Sequence, residues 1–239
     1  MNFPQKGPSK YGFDGNYPPI LLWTPGKTGQ TSVQEMLIKA KCPNVLSIHS
    51  LAANTKSDGL LAPNSPERQR RKDSILKYFD SHDNIRIVTT VRDVIRRNIS
   101  SYFYSYHNRT YESFVSTFNH MWYLDWFDNE IKRYTGLDIY DYSFDVNQKW
   151  GIFNKGKFSL IVLRTENLYE GLVNACRLWG IHIGTSVIAN RQGGGNAYIE
   201  FGRNKFDKSL IRKLYEHKHM NFFYSKKEVD KYISHWCKK

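Results

Sequence analysis

Cysteine is scarce in this sequence, with only Cys42, Cys176 and Cys237 among 239 residues. An odd, widely spaced set without a C-x-x-C pair argues against a disulfide framework and against a cysteine-based zinc site. Long apolar runs are also lacking, since nothing approaches the roughly 18 residues of a membrane span. The apolar run 20–23 is too short for the core of a signal peptide. We therefore expect a cytoplasmic protein without stable membrane insertion.

Acidic residues are outnumbered, because 22 Asp and Glu stand against 35 Lys and Arg and give a formal net charge of +13. Such a balance indicates an anionic partner, which can be a nucleic acid, a membrane surface, or a small or polymeric polyanion. No helix-turn-helix, RNP or zinc-finger pattern is present, so we expect no nucleic-acid partner. A polyanion-binding module without catalysis stays open as an alternative.

Hydrophobic residues, at 40% of the chain, are sufficient for a folded core, and their spacing alternates between two patterns. Short apolar runs predict buried strands, and runs with helical periodicity predict helices between them. The predicted strands are 20–23, 44–49, 85–91 and 158–163; the predicted helices follow Gly29 up to Pro43, cover 66–79, 93–105 and 110–134, and pass through 168–176. We expect residues 136–157 to be mostly irregular and the tail, 206–236, to carry two amphipathic helices.

Strands that alternate with helices predict an α/β fold with a largely parallel β-sheet and helices on both faces. The segment 1–18 is rich in Gly, Pro and Asn and is expected to be an irregular lead-in. No linker divides the remainder, so we predict a single domain over residues 19–239.

A glycine-containing loop joins the first predicted strand to the first predicted helix: Pro25-Gly26-Lys27-Thr28-Gly29-Gln30-Thr31-Ser32. A helix N-terminus offers N–H groups and the positive end of the helix dipole, which favour a bound phosphate. Gly29 allows close approach of the backbone, Lys27 adds a charge, and Thr31 and Ser32 add hydroxyl donors. The motif indicates binding of a phosphoryl or sulfuryl group; the alternative is a turn that contains Gly and Lys by chance.

A second motif, Arg92-Asp93, ends the predicted strand 85–91. Asp93 is placed to cap the following helix. Arg92 and Ser100, eight residues later, can contact one phosphate, because a guanidinium binds oxygen pairs and a hydroxyl donates a hydrogen bond. The alternative is ordinary surface charge on a helix that also carries Arg96 and Arg97.

The two motifs, in this order and on these elements, resemble the nucleotide site of the sulfotransferases that use 3′-phosphoadenosine-5′-phosphosulfate (PAPS). In that family the lysine of the 5′-phosphosulfate loop precedes the glycine, as Lys27 precedes Gly29. An Arg-Asp pair and a serine eight residues after the arginine form the 3′-phosphate site, as Arg92 and Ser100 would here. The resemblance implies a P-loop-type parallel sheet flanked by helices, PAPS as co-substrate, adenosine 3′,5′-bisphosphate as product, and no metal.

Two positions depart from the family pattern: Gln30 replaces Thr or Ser, and Val94 replaces Pro. A protein that binds the nucleotide without turnover is therefore a second interpretation. A P-loop kinase is a third, although Leu21 stands where the loop G-x-x-x-x-G-K-[ST] requires its first glycine. The predicted central strand also ends in Arg92 where a Walker B carboxylate is expected.

The resemblance implies roles for particular residues. The implied cofactor-binding residues are Lys27, Thr28, Gly29, Gln30, Thr31, Ser32, Arg92 and Ser100, with Arg191 and Gly193 in a late glycine-rich loop. Lys27 would also stabilise charge during transfer. His49, at the end of the second predicted strand, is the candidate general base, because such sheets bind ligands at the carboxyl edge and some family members place a His there. Glu35 is the alternative base.

Three further segments bear on the acceptor and on the structure around the site. Arg164-Thr165-Glu166-Asn167-Leu168 is similar to the family's Arg-x-Glu-x-Leu strand end, where we expect a structural glutamate. Trp126-Phe127-Asp128 and 222–228 resemble a bacterial subgroup of capsular polysaccharide synthesis proteins. That resemblance implies a saccharide or another acceptor with a hydroxyl or amine, and a place peripheral to the membrane where glycans are assembled. The aromatic residues Tyr102, Tyr104, Tyr106, Trp122 and Trp126 would stack on sugars or form core, and the basic surface fits an anionic saccharide.

Overall fold

The computed structural model describes residues 20–42, 44–52, 66–105, 110–184, 201 and 206–237. The helices and strands among these residues are β1 (Ile20–Trp23), α1 (Gln30–Lys39), β2 (Val45–Ile48), α2 (Pro66–Ser81), β3 (Ile85–Val91), α3 (Val94–Ser105), α4 (Tyr111–Thr117), a π-helical turn (Asp128–Lys132), α5 (Arg133–Thr135), β4 (Trp150–Lys155), β5 (Phe158–Arg164), α6 (Leu168–Arg177), α7 (Lys208–Tyr215), α8 (Lys218–Phe223) and α9 (Lys226–Trp236). Short 3₁₀ turns cover Ile139–Asp141 and Thr165–Asn167. The predicted lead-in 1–18 lies outside the described residues, and the single domain over 19–239 stays a prediction.

The described strands form one mostly parallel sheet in the order β2-β1-β3-β5-β4. β1 pairs in parallel with β2 and with β3, and β3 pairs in parallel with β5. The predicted α/β class and the four predicted strands are therefore confirmed. The prediction that 136–157 is mostly irregular is wrong for Trp150–Lys155, because β4 lies there and pairs antiparallel with β5. Only Phe153 of β4 is buried, so this strand lacks the apolar run that marks the other four.

Helices cover both faces of the sheet, as alternate side chains of β1 show. Leu21 and Trp23 belong to a core with residues of α2, α3 and the C-terminal helices. Ile20 and Leu22 belong to a second core with α1 and α6. Because successive side chains of a strand point to opposite faces, two apolar layers require an uninterrupted apolar strand, as the run 20–23 provides.

The predicted helix over 110–134 is wrong as one element. α4 ends at Thr117, and Phe118 is extended. The Asn119 side chain then accepts hydrogen bonds from the N–H groups of Met121 and Trp122, a local turn that competes with helix continuation. Helical structure resumes as the π-helical turn and α5.

The C-terminal segment holds three helices, α7 to α9, rather than the two predicted. His217 caps α8, and Ser225 begins α9 with a capping box completed by Glu228. These two caps divide the segment into three helices, where hydrophobic periodicity alone predicts two. Among the described helices none is both long and apolar enough to cross a membrane.

The direction of the connections places a crevice between β1 and β3. From β1 the chain proceeds to β2 on one side, whereas β3 lies on the other side of β1 and is followed in the sheet by β5. Open parallel sheets bind ligands at such a switch point, beyond the carboxyl ends of the strands. Both sequence motifs leave the sheet at this position.

Candidate anion-binding site

The loop between β1 and α1 has an unusual backbone. Lys27 and Gly29 have φ angles of 71° and 94°, both left-handed, on either side of Thr28. Such alternation turns successive N–H groups toward one side and forms an anion-binding concavity. No hydrogen bond from the backbone N–H groups of residues 26–30 is found among the described residues, and Gly29 gives α1 no side-chain cap. Five consecutive donors are therefore available to an anion.

The carbonyl groups of the same loop are held by other parts of the protein. The acceptors and their donors are Pro25 O with Thr28 Oγ1 (2.6 Å), Gly26 O with Arg97 Nε (3.0 Å), Lys27 O with Arg92 Nη1 (3.1 Å) and Thr28 O with Thr165 Oγ1 (2.9 Å). The first bond lies within the loop, and the other three come from α3, from the end of β3 and from the turn after β5. The loop is thus fixed by three neighbouring elements, while the N–H groups of residues 26–30 have no partner among the described residues.

Arg92 joins the two sequence motifs directly. Its half-buried guanidinium donates to Lys27 O, so the two predicted anion sites are adjacent. The Arg92 backbone is fixed as well, because its N–H donates to the Tyr123 hydroxyl at 2.7 Å and that hydroxyl donates to Arg92 O at 2.8 Å. Ser100 lies on α3, two turns further, and is only 7% exposed. Contact of Arg92 and Ser100 with one phosphate stays a prediction.

Arg97 is a member of the site that the sequence prediction missed. It is 2% exposed, and the rings of Trp122 and Tyr123 lie 4.9 and 5.3 Å from its Cζ. Burial lowers the pKa of the Arg97 guanidinium to about 10. Helical spacing contained the signal, because Arg97 follows the buried Val94 by three residues and so shares its inward face.

Positive charge is concentrated without a compensating acid. Burial lowers the pKa of Lys27, and the charges of Arg92 and Arg97 lower it further. Among the described residues no carboxylate forms an ion pair with any of these three cations. Three neighbouring cations that repel one another favour occupation by a multivalent anion.

His49 lies against the loop, at the end of β2. A Cβ added to Gly26 would be 3.9 Å from His49 Cε1. The His49 Nδ1 is 3.0 Å from Thr24 O. A carbonyl oxygen only accepts, so Nδ1 carries the proton and Nε2 is the basic nitrogen of the neutral ring. This tautomer suits a general base, and that role stays a prediction.

Gln30, which replaces the Thr or Ser of the sulfotransferase pattern, has a structural use in the sheet. Its Nε2 donates to Leu22 O at 3.2 Å and to Ile48 O at 3.1 Å, so the side chain bridges β1 and β2. The carboxamide is used within the protein, whereas the Gln30 backbone N–H has no partner among the described residues. Thr31 and Ser32 follow in the first turn of α1, the former exposed and the latter buried.

Three predicted site residues remain, and of these the structure describes Glu35. Glu35 lies about 8 Å along the axis of α1 from its first residue, and among the described residues no hydrogen bond links it to the loop. Its role as an alternative base stays a prediction. Arg191 and Gly193 lie outside the described residues.

Asp93 and Glu166 have structural positions beneath the site. Asp93 is fully buried, caps α3 by accepting from the Arg96 N–H at 2.9 Å, and also accepts from the Tyr215 hydroxyl. Glu166 accepts from the Asp93 N–H and from the Tyr224 hydroxyl, both at 3.2 Å. The predicted cap is confirmed, and these contacts agree with a structural Glu166. Within the described residues, no three His, Cys, Asp or Glu side chains form a group that could hold a metal ion.

The aromatic candidates for sugar stacking divide sharply by exposure. Tyr102 and Trp126 are buried core residues, and Trp122 packs over Arg97. Tyr104 is 53% exposed, and its ring centroid lies 4.4 Å from Lys27 Nζ. Tyr106 lies outside the described residues. Tyr104 is therefore the described candidate that is both exposed and adjacent to the loop.

Comparison with known protein families gives a match for one segment of the chain. Residues 110–225, just under half of the chain, match the family model "NKWYS: Putative capsular polysaccharide synthesis protein". The chain has no significant match among curated proteins or among solved structures. The matched segment begins after the loop and after Arg92. It contains residues that form hydrogen bonds with residues just beyond the ends of the strands: Tyr123, Trp126, Glu130, Glu166, Tyr215 and Tyr224.

Proposed function

We propose that this protein is a sulfotransferase that moves a sulfuryl group from PAPS to a hydroxyl or amine of a saccharide. The observation that carries the proposal is the pairing of five unpaired loop N–H groups with three cations at the switch point of the sheet. That arrangement fits a ligand with a phosphosulfate at one end and a phosphate at the other. Within the first motif Lys27 precedes Gly29, whereas in the nucleoside-triphosphate loop the glycine precedes the lysine.

The donor would extend across the two motifs. The loop N–H groups and Lys27 would bind the 5′-phosphosulfate, while Arg92 with Ser100 would bind the 3′-phosphate. Arg97 lies behind the loop and adds positive potential without needing direct contact.

Transfer then follows the in-line geometry of phosphoryl transfer. The acceptor oxygen forms a bond to sulfur as the bond from sulfur to the bridging phosphate oxygen breaks. Negative charge develops on the leaving phosphate oxygen, where Lys27 and the loop N–H groups stabilise it. The proton of the acceptor hydroxyl passes to His49 Nε2, the nitrogen that carries no proton in the neutral ring when Nδ1 donates to Thr24 O.

A saccharide acceptor is supported by two features. The family model that matches residues 110–225 is described by capsular polysaccharide synthesis. Tyr104 offers an exposed ring beside Lys27, and tyrosine rings bury an apolar face while their hydroxyl stays in water. The basic surface of the chain fits an anionic saccharide.

The direct test is transfer of label from sulfur-35 PAPS to glycans of the host, with Lys27→Ala as the comparison. Label in the glycan fraction that is at least about a hundredfold lower for Lys27→Ala supports the proposal. Absence of transfer by the wild-type protein to any glycan fraction contradicts it.

ATP with magnesium is the necessary control, since a kinase is the competing enzyme class. In the nucleoside-triphosphate loop the Ser or Thr after the lysine binds magnesium. Here the Thr28 side chain is fully buried, donates to Pro25 O, and accepts from Thr90 Oγ1 at 2.7 Å. We expect adenosine 3′,5′-bisphosphate to raise the melting temperature more than ATP with magnesium, and the reverse order would favour a kinase.

A further inference from the structure

We infer that Glu130 and Trp126 are positioning residues that fix the backbone on both sides of His49 and thereby hold its imidazole for proton transfer. The inference rests on the proposed function, because it concerns His49 as the general base. The hydrogen bonds that carry the inference connect both residues to residues 49–52. Their effect is exerted through the turn that follows β2.

Two hydrogen-bond groups carry the inference. Trp126 Nε1 donates to the backbone carbonyl of His49 at 3.0 Å. The Glu130 carboxylate accepts from the Ser50 hydroxyl, from the Leu51 N–H at 2.7 Å and from the Ala52 N–H at 3.3 Å. Residues 49 to 52 are thus held at four successive positions from a single neighbouring segment.

The helical geometry of that segment explains how both residues reach the same turn. Trp126 and Glu130 are four residues apart, a spacing that keeps side chains on one face of a helix. Glu130 lies within the π-helical turn Asp128–Lys132. Single π-helical turns are rare and occur frequently at functional sites, because they redirect a face of a helix at some cost in regularity.

The burial of Glu130 argues for a specific purpose. The residue is 1% exposed, and removing a carboxylate from water costs several kcal/mol unless hydrogen bonds replace the lost hydration. An apolar side chain would fill this place without that cost. What the carboxylate alone provides is acceptors for donors of Ser50, Leu51 and Ala52, directly after the candidate base.

The His49 imidazole is held by the residue that directly follows β1. His49 Nδ1 contacts Thr24 O, which sets the tautomer. With the carbonyl of His49 held by Trp126 and the next three residues held by Glu130, the ring has little freedom to turn away from the loop. A catalytic group fixed in advance avoids reorganisation in the transition state, and displacement by about 1 Å can lower a rate about a hundredfold.

The test compares Glu130→Gln and Trp126→Phe with the wild-type protein, using sulfur-35 PAPS and the acceptor identified for the wild type. Gln keeps the size of Glu130 but presents an NH₂ group to donors, and Phe keeps most of the Trp126 ring but cannot donate. We expect kcat to fall about tenfold to a hundredfold for each variant. KM for PAPS and the affinity for adenosine 3′,5′-bisphosphate should change less than twofold, and the limb of the pH–rate profile that reports His49 should shift.

Two controls separate positioning from loss of stability. Val229→Ala removes buried methyl groups from α9, away from the loop, and should lower the melting temperature while kcat is retained. In a double-mutant cycle, Glu130→Gln should have little further effect on the residual rate of His49→Ala, because the residue it positions is already absent.

The outcomes are distinguishable. No transfer by the wild-type protein defeats the proposed function itself. An active wild type with kcat and pH–rate profile unchanged in both variants overturns the inference alone. The inference is also overturned if Glu130→Gln lowers kcat by the same factor in the wild type and in His49→Ala. It is overturned as well if the variants lose affinity for adenosine 3′,5′-bisphosphate to the same extent as they lose kcat. If Glu130→Gln does not fold, Trp126→Phe decides by the same measurements.

Discussion

At the residue scale, the conformation of the loop depends on Gly29. Its φ of 94° is rarely adopted by other residues, and a Cβ at this position would lie 3.2 Å from Leu168 Cδ2. Lys27 also has a left-handed φ of 71°, and Arg92 donates a hydrogen bond to its carbonyl. The unpaired N–H groups therefore depend on backbone strain that surrounding hydrogen bonds maintain.

Replacement of Gly29 by Ala is expected to lower the free energy of unfolding by about 1–2 kcal/mol, because a left-handed conformation with a Cβ costs that much. It should also abolish most of the thermal stabilisation by adenosine 3′,5′-bisphosphate. Gly136→Ala is the matched control, since Gly136 has φ of 70° and open space around it. Calorimetry with and without the bisphosphate should show similar destabilisation for both variants but loss of the ligand effect only at Gly29.

Asp93 predicts a pH dependence of stability. Burial raises its pKa from 3.8 to about 6, outweighing the hydrogen bonds from Tyr215 and from the Arg96 N–H, while nearby Glu166 raises it further. The folded protein thus binds this proton more tightly than the unfolded chain does. The resulting stability is present below about pH 4 and is lost as pH rises through about 6, by an amount on the order of 3 kcal/mol.

Asp93→Asn tests this dependence, because Asn is an equally good helix cap but does not titrate. Relative to the wild type, the variant should gain stability between about pH 4 and pH 7. Urea unfolding at a series of pH values measures the difference. Parallel curves for the two proteins would show that Asp93 does not titrate in this range.

Residue types and spacing allowed part of the site to be predicted from sequence. Lys27 and Arg92 were both expected, and the structure brings them together. The hydrogen bond from Arg97 to Gly26 O and the use of the Gln30 carboxamide by the sheet were not foreseen. Both depend on which neighbour a long polar side chain reaches in three dimensions, and a single sequence does not specify that.

At the element scale, the strands that are buried on both faces could be predicted from the sequence, and the exposed strand could not. β1, β2, β3 and β5 are nearly continuous apolar runs because both faces of the sheet are covered. β4 is an edge strand with one buried residue, and it therefore resembles a loop in sequence. The breaks within 110–134 and 206–236 arise from turn and cap residues whose effect depends on local backbone geometry.

A buried ion pair joins β5 to α9. Arg164, 1% exposed, donates to both oxygens of Glu228, at 2.7 and 3.2 Å, and Glu228 also completes the capping box of Ser225. The carboxylate keeps its usual charge at neutral pH, since the contact with Arg164 lowers its pKa despite partial burial. Loss of this pair would leave a buried guanidinium without its main partner.

Glu228→Ala is expected to lower the free energy of unfolding by about 3 kcal/mol, because breaking a buried pair strands the remaining charge. Asp230→Ala is the matched control on the same helix, since the pair of Asp230 with Lys226 is exposed and should contribute less than about 1 kcal/mol. Denaturant titrations of the two variants measure the contrast. Equal losses would mean that the burial of Arg164 does not matter to stability.

At the scale of the whole molecule, the two halves of the sequence contribute different parts of the site. The N-terminal half supplies the loop, His49 and the Arg92 strand end. The segment 110–225 that matches the family model supplies further hydrogen bonds that hold these parts, in addition to those from Arg92 and Arg97. Because those contacts join residues distant in sequence, they could not be predicted from motifs, although both motifs and their order could.

The central claim is that one donor molecule contacts the loop and Arg92 at once. Calorimetric titration with adenosine 3′,5′-bisphosphate and with adenosine 5′-phosphate tests it directly, because the two ligands differ only in the 3′-phosphate. The exposed Arg212→Ala on α7 serves as the control for loss of one positive charge.

We predict that the wild type and Arg212→Ala prefer the bisphosphate by at least about tenfold, the effect of one charge-assisted contact of about 1.4 kcal/mol or more. Lys27→Ala should weaken both ligands while the preference is retained, whereas Arg92→Ala should lose the preference. A wild type without preference, or an Arg92→Ala variant that keeps it in full, would contradict the account.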